Sequence, residues 1–193
     1  MHLVLATHNA HKRLEVERIL QGMGVVATLV VPKGKPPLED GATFAENALI
    51  KARAAHRSSG LPAIADDSGI VVRALGNEPG IHSARYSPSG TDLANRNLLL
   101  ANLGDHPDRF AHFVCAVAFC YGGTEEVIER RWLGRIATEA HGSGGFGYDP
   151  IFIPAGFEVT AAQLSPAEKD LVSHRGQAFR AMASRLESLL PRS

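Results

Sequence analysis

The sequence has no excess of either charge sign, which excludes one broad group of functions. Its 193 residues include 20 basic and 20 acidic ones, so the formal net charge is zero. Proteins that bind nucleic acids or anionic membrane surfaces by general attraction carry excess positive charge. We therefore expect no nucleic-acid partner and no membrane partner, while a local basic patch remains compatible with this balance.

Long apolar runs and cysteines are scarce as well. No apolar run approaches the roughly 18 residues that span a bilayer, and the first seven residues carry no positively charged segment of signal-peptide type. The two cysteines, Cys115 and Cys120, lie five positions apart in a strand-like run. At the usual strand rise their Cα atoms would be about 16 Å apart, too far for a disulfide. We predict a cytoplasmic protein with reduced, buried cysteines.

The stretch with the clearest chemical content is residues 63–69, an apolar run that leads into Asp66, Asp67 and Ser68. It predicts a buried strand that ends in two carboxylates. Because side chains alternate along a strand, one carboxylate would face a site and the other would be structural. Asp-Asp-Ser-Gly is also good turn composition, so a plain turn before a second strand at residues 70–74 is the alternative.

Helix and strand signals alternate along the rest of the chain. Thr43 and Glu46 form a capping box that opens a helix ending before Gly60, and Ser165 caps a second helix. The alternating segments around Gly122-Gly123 predict a β-hairpin. A further strand is predicted over residues 25–31. This order of elements indicates a mixed α/β fold.

Two segments have the composition of anion-binding sites. Residues 7–12 join a first strand to a helix, and backbone N–H groups at a helix start together with Lys12 suit phosphate. Residues 173–176, Ser-His-Arg-Gly, interrupt the chain before the last helix and place His174 beside Arg175. For residues 7–12 the alternative is an ordinary turn with a solvated lysine. For residues 173–176 it is a surface ion pair.

A glycine-rich segment at residues 142–147 matches G-x-G-x-x-G but lacks the context of a dinucleotide site. Such a site must open a helix, whereas an apolar strand started by Pro150 follows here. The glycines still allow close approach of a ligand, and Phe146 offers a stacking face. Lys169, in the first turn of the helix capped by Ser165, is unfavourable there unless an anion lies close.

Taken in order, these segments resemble the inosine/xanthosine triphosphate pyrophosphatase family, whose members hydrolyse deaminated purine nucleoside triphosphates. The resemblance covers nearly the whole chain. It rests on six ordered motifs: Thr7-x-Asn9-x-x-Lys12, Thr43-Phe44-x-Glu46-Asn47-Ala48, Ala65-Asp66-Asp67-Ser68-Gly69, Pro79-Gly80-x-x-Ser83-Ala84-Arg85-Tyr86, Gly145-Phe146-Gly147-Tyr148-Asp149-Pro150 and Ser173-His174-Arg175-Gly176.

This resemblance implies a single bilobed domain over residues 1–193, with a long mixed central β-sheet, flanking helices and an active-site cleft between two lobes. It also implies Mg²⁺ as cofactor, a purine nucleoside triphosphate as substrate and a homodimer. Asp67 would be the general base and a magnesium ligand. The substrate-binding residues would be Thr7, His8, Asn9, Ala10, His11, Lys12, Ser68, Phe146, Gly147, Tyr148, Asp149, Lys169, His174 and Arg175.

The chain departs from the family pattern at three places. His8 stands where glycine is usual, and Arg73 replaces a frequent aspartate. Family members often have two acidic residues, then any residue, then glycine, whereas this chain has Leu38-Glu39-Asp40-Gly41. Of its two carboxylates, we assign Glu39 as the second magnesium ligand. No Cys/His cluster of zinc type is present in the sequence.

Two other functions are alternatives. A related-fold pyrophosphatase for dTTP or UTP would carry an arginine pair in the first loop, which residues 7–12 lack. A nucleotide-binding module without catalysis would bind inosine triphosphate without releasing pyrophosphate. Pyrophosphate release from inosine triphosphate in the presence of magnesium separates these functions.

Overall fold

The structure is a computed structural model that describes residues 2–25, 28–30 and 35–190. Its strands are β1 (His2–Leu5), β2 (Thr28–Val30), β3 (Ala63–Val72), β4 (Phe110–Tyr121), β5 (Thr124–Ile136) and β6 (Phe152–Pro154). Its α-helices are α1 (Ala10–Gly22), α2 (Phe44–Ser59), α3 (Asp92–Leu103), α4 (Pro166–Val172) and α5 (His174–Leu189). Of the strand predicted over residues 25–31, positions 26, 27 and 31 lie outside the described residues.

The strands form one mixed sheet in the order β2-β1-β3-β4-β5-β6. β1 pairs in parallel with β2 and with β3, and β5 pairs antiparallel with β6. β4 and β5 are neighbours joined only by Gly122-Gly123, as the hairpin signal predicted. The α/β fold with a mixed central sheet flanked by helices is thereby confirmed.

The chain divides into two compact units. The first unit comprises residues 1–67, 115–130 and 175–193, and the second comprises residues 68–114 and 131–174. Three of the four boundaries fall inside strands, so β3, β4 and β5 each contribute residues to both units. The single bilobed domain stays a prediction.

Each unit has its own apolar core. The first core collects buried side chains from β1, α1, β3, β4, β5 and α5, among them Leu3, Leu5, Val16, Leu20, Ile64, Val117, Phe119, Phe179, Met182 and Leu186. The second core collects Ile70, Val72, Leu99, Leu103, Phe113, Trp132, Ile136, Tyr148, Ile151 and Phe152. The apolar positions of α1 follow a spacing of three and four residues, which is why one face of this helix is buried.

Strong local signals set several boundaries where the sequence predicted them. The Thr43–Glu46 capping box opens α2, and Gly60 follows its last residue in a left-handed conformation. Thr91 caps α3 through the N–H of Ala94. The capping box of Ser165 opens α4.

The buried strand predicted from residue 63 is confirmed, but residues 66–69 neither end it nor form a turn, so its predicted end and the alternative turn were wrong. β3 runs without a break from Ala63 to Val72, and a short 3₁₀ helix follows at Arg73–Leu75. The two carboxylates inside the strand are tolerated because neighbouring cations neutralise them, as described below. Charge compensation from other elements therefore overrides the local turn composition.

Two other boundaries differ from the prediction. α5 begins directly at His174, so only Ser173, in an extended conformation, separates it from α4, and His174, Arg175 and Gly176 are helical. Gly176 is buried within this helix, where packing offsets a propensity cost of about 1 kcal/mol. Pro150 lies in a 3₁₀ turn, Asp149–Ile151, and β6 starts only at Phe152, because proline has no N–H for a strand ladder.

Both cysteines are free and buried, as predicted. In the described ranges, none of the helices combines the length and the apolar character needed to cross a membrane.

Candidate active site

The first unit carries a dense group of charged side chains around the start of α1 and the middle of β3. The hydroxyl of Thr7 accepts the N–H of Asn9 at 3.2 Å, and the side chain of Asn9 caps α1 by accepting the N–H of Lys12 at 3.0 Å. His8, Asn9, Ala10 and His11 are exposed. This turn therefore presents its residues and the start of a helix to solvent, as an anion site requires.

Lys12 is not a solvated lysine, so that alternative was wrong. Its side chain is 15% exposed, and its Nζ lies 2.9 Å from the carboxylate of Asp66. The same carboxylate oxygen lies 3.6 Å from Nη2 of Arg175. Asp66 therefore draws together two cations that the sequence assigned to the substrate site.

Arg175 is fully enclosed in this network. Its Nη1 donates to Glu15 on α1 at 2.6 Å, and both side chains are buried. The ion pair of Arg175 is thus internal, and the alternative of a surface pair was wrong. Burial disfavours the charge, but Glu15 and Asp66 outweigh it and raise the pKa of Arg175 above its ordinary value.

The two adjacent aspartates of β3 differ in their acidity. Burial alone would raise the pKa of Asp66, but the charges of Lys12, Arg175 and Lys51 lower it well below its usual range. The pKa of Asp67 is raised, chiefly by burial, and Lys51 and Lys12 oppose the shift only in part. Asp66 is therefore a permanent anion, whereas Asp67 has the greater affinity for a proton.

Lys51 on α2 links the two carboxylates that the sequence singled out as metal ligands. Its Nζ donates to Oε2 of Glu39 at 2.9 Å and to Oδ1 of Asp67 at 3.1 Å. Asn47, one turn earlier on α2, donates to Oδ2 of Asp67 at 3.4 Å. Among the described residues, no such contact joins Asp40 to the group, and Asp40 is exposed. The structure therefore brings Glu39, and not Asp40, to Asp67.

The donor set fits a divalent cation that prefers oxygen ligands. Glu39 and Asp67 both reach one ammonium group, so their oxygens converge on a point that already holds positive charge. Magnesium commonly uses one or two carboxylates and completes its shell with water and phosphate oxygens. In the described part of the chain no cluster of three or more His, Cys, Asp or Glu side chains is placed to hold a metal. Glu39 and Asp67 are the candidate pair because both contact the same ammonium group.

Charge balance in the group also favours an added cation. Lys12, Lys51 and Arg175 face four carboxylates, those of Glu15, Glu39, Asp66 and Asp67. With all seven groups ionised, the formal charge is −1. This net negative charge would repel a polyphosphate anion, whereas a bound divalent cation would make the net charge of the group positive.

Four members of this group were not assigned to the site from the sequence: Glu15, Asn47, Lys51 and Asp66, of which Asp66 fits the structural carboxylate expected beside Asp67. One signal was available for two of them. Asn47 and Lys51 are four residues apart on α2 and share a face, and the same helix buries the small residues Ala48, Ala52 and Ala55. An amide and a lysine beside such a stripe indicate a polar partner. Nothing in the sequence around Glu15 pointed to Arg175, 160 positions away.

The second unit contains a separate group built on the turn at residues 145–149. One carboxylate oxygen of Asp149 accepts the N–H of Phe146 at 2.8 Å and the ammonium of Lys169 at 2.5 Å. Gly145 has a φ of +67°, and a Cβ there would clash with the Asp149 carboxylate. The anion expected near Lys169 is therefore Asp149, and only glycine fits at position 145.

Phe146 and His174 present two kinds of aromatic surface in this unit. Phe146 is half-buried, and Nζ of Lys169 lies 5.1 Å from its ring centroid. His174 is buried and stacks on Phe113 at 4.6 Å between centroids, with Trp132 at 6.2 Å. Phe146 is thus accessible for stacking, while the imidazole of His174 belongs to an aromatic layer.

The predicted site residues fall into both units. Residues 7–12, Glu39, Asp67 and Arg175 lie in the first, and Ser68, residues 146–149, Lys169 and His174 lie in the second. In the first unit, direct contacts join Thr7, Asn9 and Lys12, while Asp66 links Lys12 to Arg175 and Lys51 links Glu39 to Asp67. In the second unit, direct contacts join Phe146, Asp149 and Lys169. Their roles toward a substrate stay predictions.

Comparison with known proteins places this arrangement in a family. The family model described as "Ham1 family" matches residues 3–185. A protein of Nocardia farcinica named dITP/XTP pyrophosphatase is 49% identical, and the alignment covers 99% of this chain and 97% of that protein. A protein of the same name from Mycobacterium bovis is 50% identical over 97% of this chain and 96% of its own.

Solved structures agree with this placement. A HAM1 protein from Coxiella burnetii superposes with a TM-score of 0.87 at 38% identity, covering 97% of this chain and 99% of that one. A structure from Mycobacterium abscessus, titled nucleoside-triphosphatase / dITP/XTP pyrophosphatase, gives a TM-score of 0.76 at 48% identity over 94% and 97% of the two chains. Sequence and fold agree over nearly the full length, and the chain belongs to the Ham1 family.

Proposed function

We propose that this chain hydrolyses deaminated purine nucleoside triphosphates, the inosine and xanthosine forms with ribose or deoxyribose, to the monophosphate and pyrophosphate. The observation that carries the proposal is the convergence of Glu39 and Asp67 on one cation in the first unit. Membership of the Ham1 family, with relatives named dITP/XTP pyrophosphatase at about 50% identity, supports the same reaction.

Asp67 is the general base in this proposal. Of the two adjacent carboxylates, Asp67 has its pKa raised, chiefly by burial, whereas the pKa of Asp66 is lowered by neighbouring cations, so Asp67 is the better proton acceptor of the two. Asp67 removes a proton from a water molecule as that water attacks the α-phosphorus. The bond from the α-phosphorus to the bridging oxygen breaks, and pyrophosphate leaves with the bonding pair.

Glu39 and Asp67 would hold Mg²⁺. Bound there, the ion would supply positive charge toward the triphosphate and lower the pKa of water. The ammonium of Lys51 would then be released from the two carboxylates and become available to an anion.

The triphosphate would bind at residues 7–12, where the start of α1 is exposed and Lys12 is held by Asp66. Arg175 and Lys169 would add fixed positive charge, and Ser68 a hydroxyl contact. Because Asp66 stays ionised, it keeps Lys12 and Arg175 in place without substrate.

The base would be recognised by residues of the turn at 145–149. Phe146 would stack on the purine, and Asp149, His174 and Arg175 would read its edge. A 6-oxo purine has an acceptor at O6 and a donor at N1, whereas adenine reverses both. A site matched to the oxo pattern would leave buried groups unpaired against adenine, at about 1–3 kcal/mol for each mismatch.

We further propose that the protein works in the cytoplasm as a homodimer with Mg²⁺ as its cofactor. These points follow from the family resemblance and from the charge and donor set of the first unit. Sedimentation of the purified protein would test the dimer.

The experiment that tests the function is pyrophosphate release from four purine triphosphates, those of inosine, xanthosine, guanosine and adenosine, with dTTP and UTP assayed beside them and magnesium present. We expect kcat/KM for inosine and xanthosine to exceed that for adenosine by about 10²- to 10⁴-fold, which corresponds to two mismatches. Equal values for all four would reject edge reading. Absence of pyrophosphate would favour the non-catalytic module, and a preference for dTTP or UTP would favour the related-fold pyrophosphatase.

A further inference from the structure

The turn at residues 145–149 is held by α3 as well as by Lys169. Asp92, the first residue of α3, accepts the N–H of Gly147 at 2.7 Å. Arg96, one helical turn later, donates from Nη1 to the carbonyl oxygen of Gly147 at 2.9 Å. Because Asp92 and Arg96 share a face of α3, one helix side binds both backbone polar groups of a single residue.

Gly147 lies at the position in the turn where support of the backbone most affects the placement of Phe146. Its φ is +59°, and it lies between the half-buried Phe146 and the buried Tyr148. The hydroxyl of Tyr148 donates to the carbonyl of Ser83 at 2.8 Å, which fixes the following residue independently. The backbone of Phe146 is thus held by Asp149 and by the orientation of the adjacent Gly147, and Asp92 and Arg96 bind both polar backbone groups of Gly147.

We propose that Asp92 and Arg96 are positioning residues for purine selectivity. This inference rests on the proposed function, since it requires Phe146 and Asp149 to contact the base. By clamping Gly147, the pair holds the Phe146 ring and the Asp149 carboxylate in one fixed arrangement before substrate arrives. A ligand then binds without having to order the turn.

A purely structural role is the competing explanation, because an acid in the first turn of a helix stabilises it. The two roles predict different kinetics. Loss of stability alone reduces the active fraction, so kcat falls and KM is unchanged. Loss of a preformed turn weakens the binding of the substrate and of the transition state equally, so KM rises and kcat is preserved.

The test compares four variants by steady-state kinetics with inosine triphosphate and adenosine triphosphate, together with thermal unfolding. Arg96→Met removes the donor and keeps much of the apolar stem, whereas Arg96→Lys can still donate to the carbonyl. Asp92→Ala removes the acceptor, whereas Asp92→Asn retains one. Asp105→Ala is the matched control, because Asp105 is an exposed acid just beyond α3.

We expect Arg96→Met and Asp92→Ala to raise KM for inosine triphosphate about 10-fold with kcat within about twofold, the scale of one lost hydrogen bond to a charged group. The preference over adenosine triphosphate should narrow by a similar factor. Arg96→Lys and Asp92→Asn should recover most of the affinity, and Asp105→Ala should match the unsubstituted protein. If Arg96→Met does not fold, the two Asp92 variants make the same comparison.

A fall in kcat at unchanged KM, or conservative variants no better than Arg96→Met and Asp92→Ala, would overturn the inference. Failure of the proposed function is distinguishable, because the unsubstituted protein would then release no pyrophosphate from inosine triphosphate. In that event the binding of inosine monophosphate, measured by calorimetry, replaces the kinetics. Equal affinity of Arg96→Met and the unsubstituted protein would overturn the inference there too.

Discussion

Replacing Glu15 by glutamine should destabilise the protein far more than the same substitution at the surface. Glu15 and Arg175 are 6% and 2% exposed, and Oε2 of Glu15 lies 2.6 Å from Nη1 of Arg175. Glu15→Gln keeps the shape of the side chain and removes its charge. The guanidinium would then stay buried with one anionic partner fewer, and the carboxylate of Asp66 beside it is already shared with Lys12.

The expected magnitude follows from that imbalance. Removing one partner of a buried ion pair costs about 3–5 kcal/mol, because the other charge stays buried without compensation. The amide oxygen of the new glutamine can still accept a hydrogen bond from Arg175, so we expect the lower end, about 3 kcal/mol. For a chain of this length, 1 kcal/mol shifts Tm by about 2–4 °C. Glu15→Gln should therefore lower Tm by about 6–12 °C.

The assay is thermal and urea unfolding of Glu15→Gln beside Glu125→Gln. Glu125 accepts two 2.6 Å hydrogen bonds from Arg53 at the surface, where such a pair contributes about 0–1 kcal/mol. The double variant Glu15→Leu/Arg175→Met restores charge balance and should lose less stability than the sum of its single substitutions. If Glu15→Gln and Glu125→Gln shift Tm equally, the reasoning from buried charge is refuted.

Three other expectations concern catalysis, metal and pH. Asp67→Asn should reduce turnover by about 10²- to 10⁴-fold with folding intact; near-normal pyrophosphate release would remove Asp67 as the base. Activity should be lost in excess chelator and restored by magnesium. Glu39→Gln should raise the magnesium concentration needed for half-maximal rate. If Asp40→Asn raises that concentration and Glu39→Gln does not, Asp40 is the ligand. Arg73, through two hydrogen bonds, and the N–H of Phe110 lower the pKa of Asp108 to about 2 from 3.8. Because the folded-state pKa is lowered, the contribution of this pair to stability is present above about pH 4 and is lost as pH falls toward 2. NMR titration of Asp108 should show the low pKa. The variant Arg73→Gln should return the pKa of Asp108 toward 3.8.

The sequence was sufficient where a boundary depends on neighbouring residues. Thr43 and Glu46 fix the start of α2 because each bonds to the backbone of the other. Gly122-Gly123 determines the hairpin for a similarly local reason. Signals of this kind involve a few adjacent positions, so one sequence contains them completely.

The sequence was insufficient where distant charges decide the local conformation. β3 continues through Asp66 and Asp67 because Lys12, Lys51 and Arg175 neutralise them, and none of these cations is near in sequence. For the same reason the linking role of Lys51 was not foreseen. Its Nζ bonds to residues 12 and 16 positions away, and no periodicity along one helix contains that information.

Because β3, β4 and β5 each contribute residues to both units, the gene cannot be divided between the two cores. A fragment of residues 68–174 would carry the hairpin tip at 115–130 with it, and the apolar side chains of Val117, Phe119 and Ile128 would lose the core they pack into. Such an exposed, apolar hairpin favours aggregation. No single crossover between related genes can exchange one core and spare the other, because the first unit contains both ends of the chain. A single crossover inside the gene therefore gives the first core segments from both parents, and its packing has to tolerate that mixture.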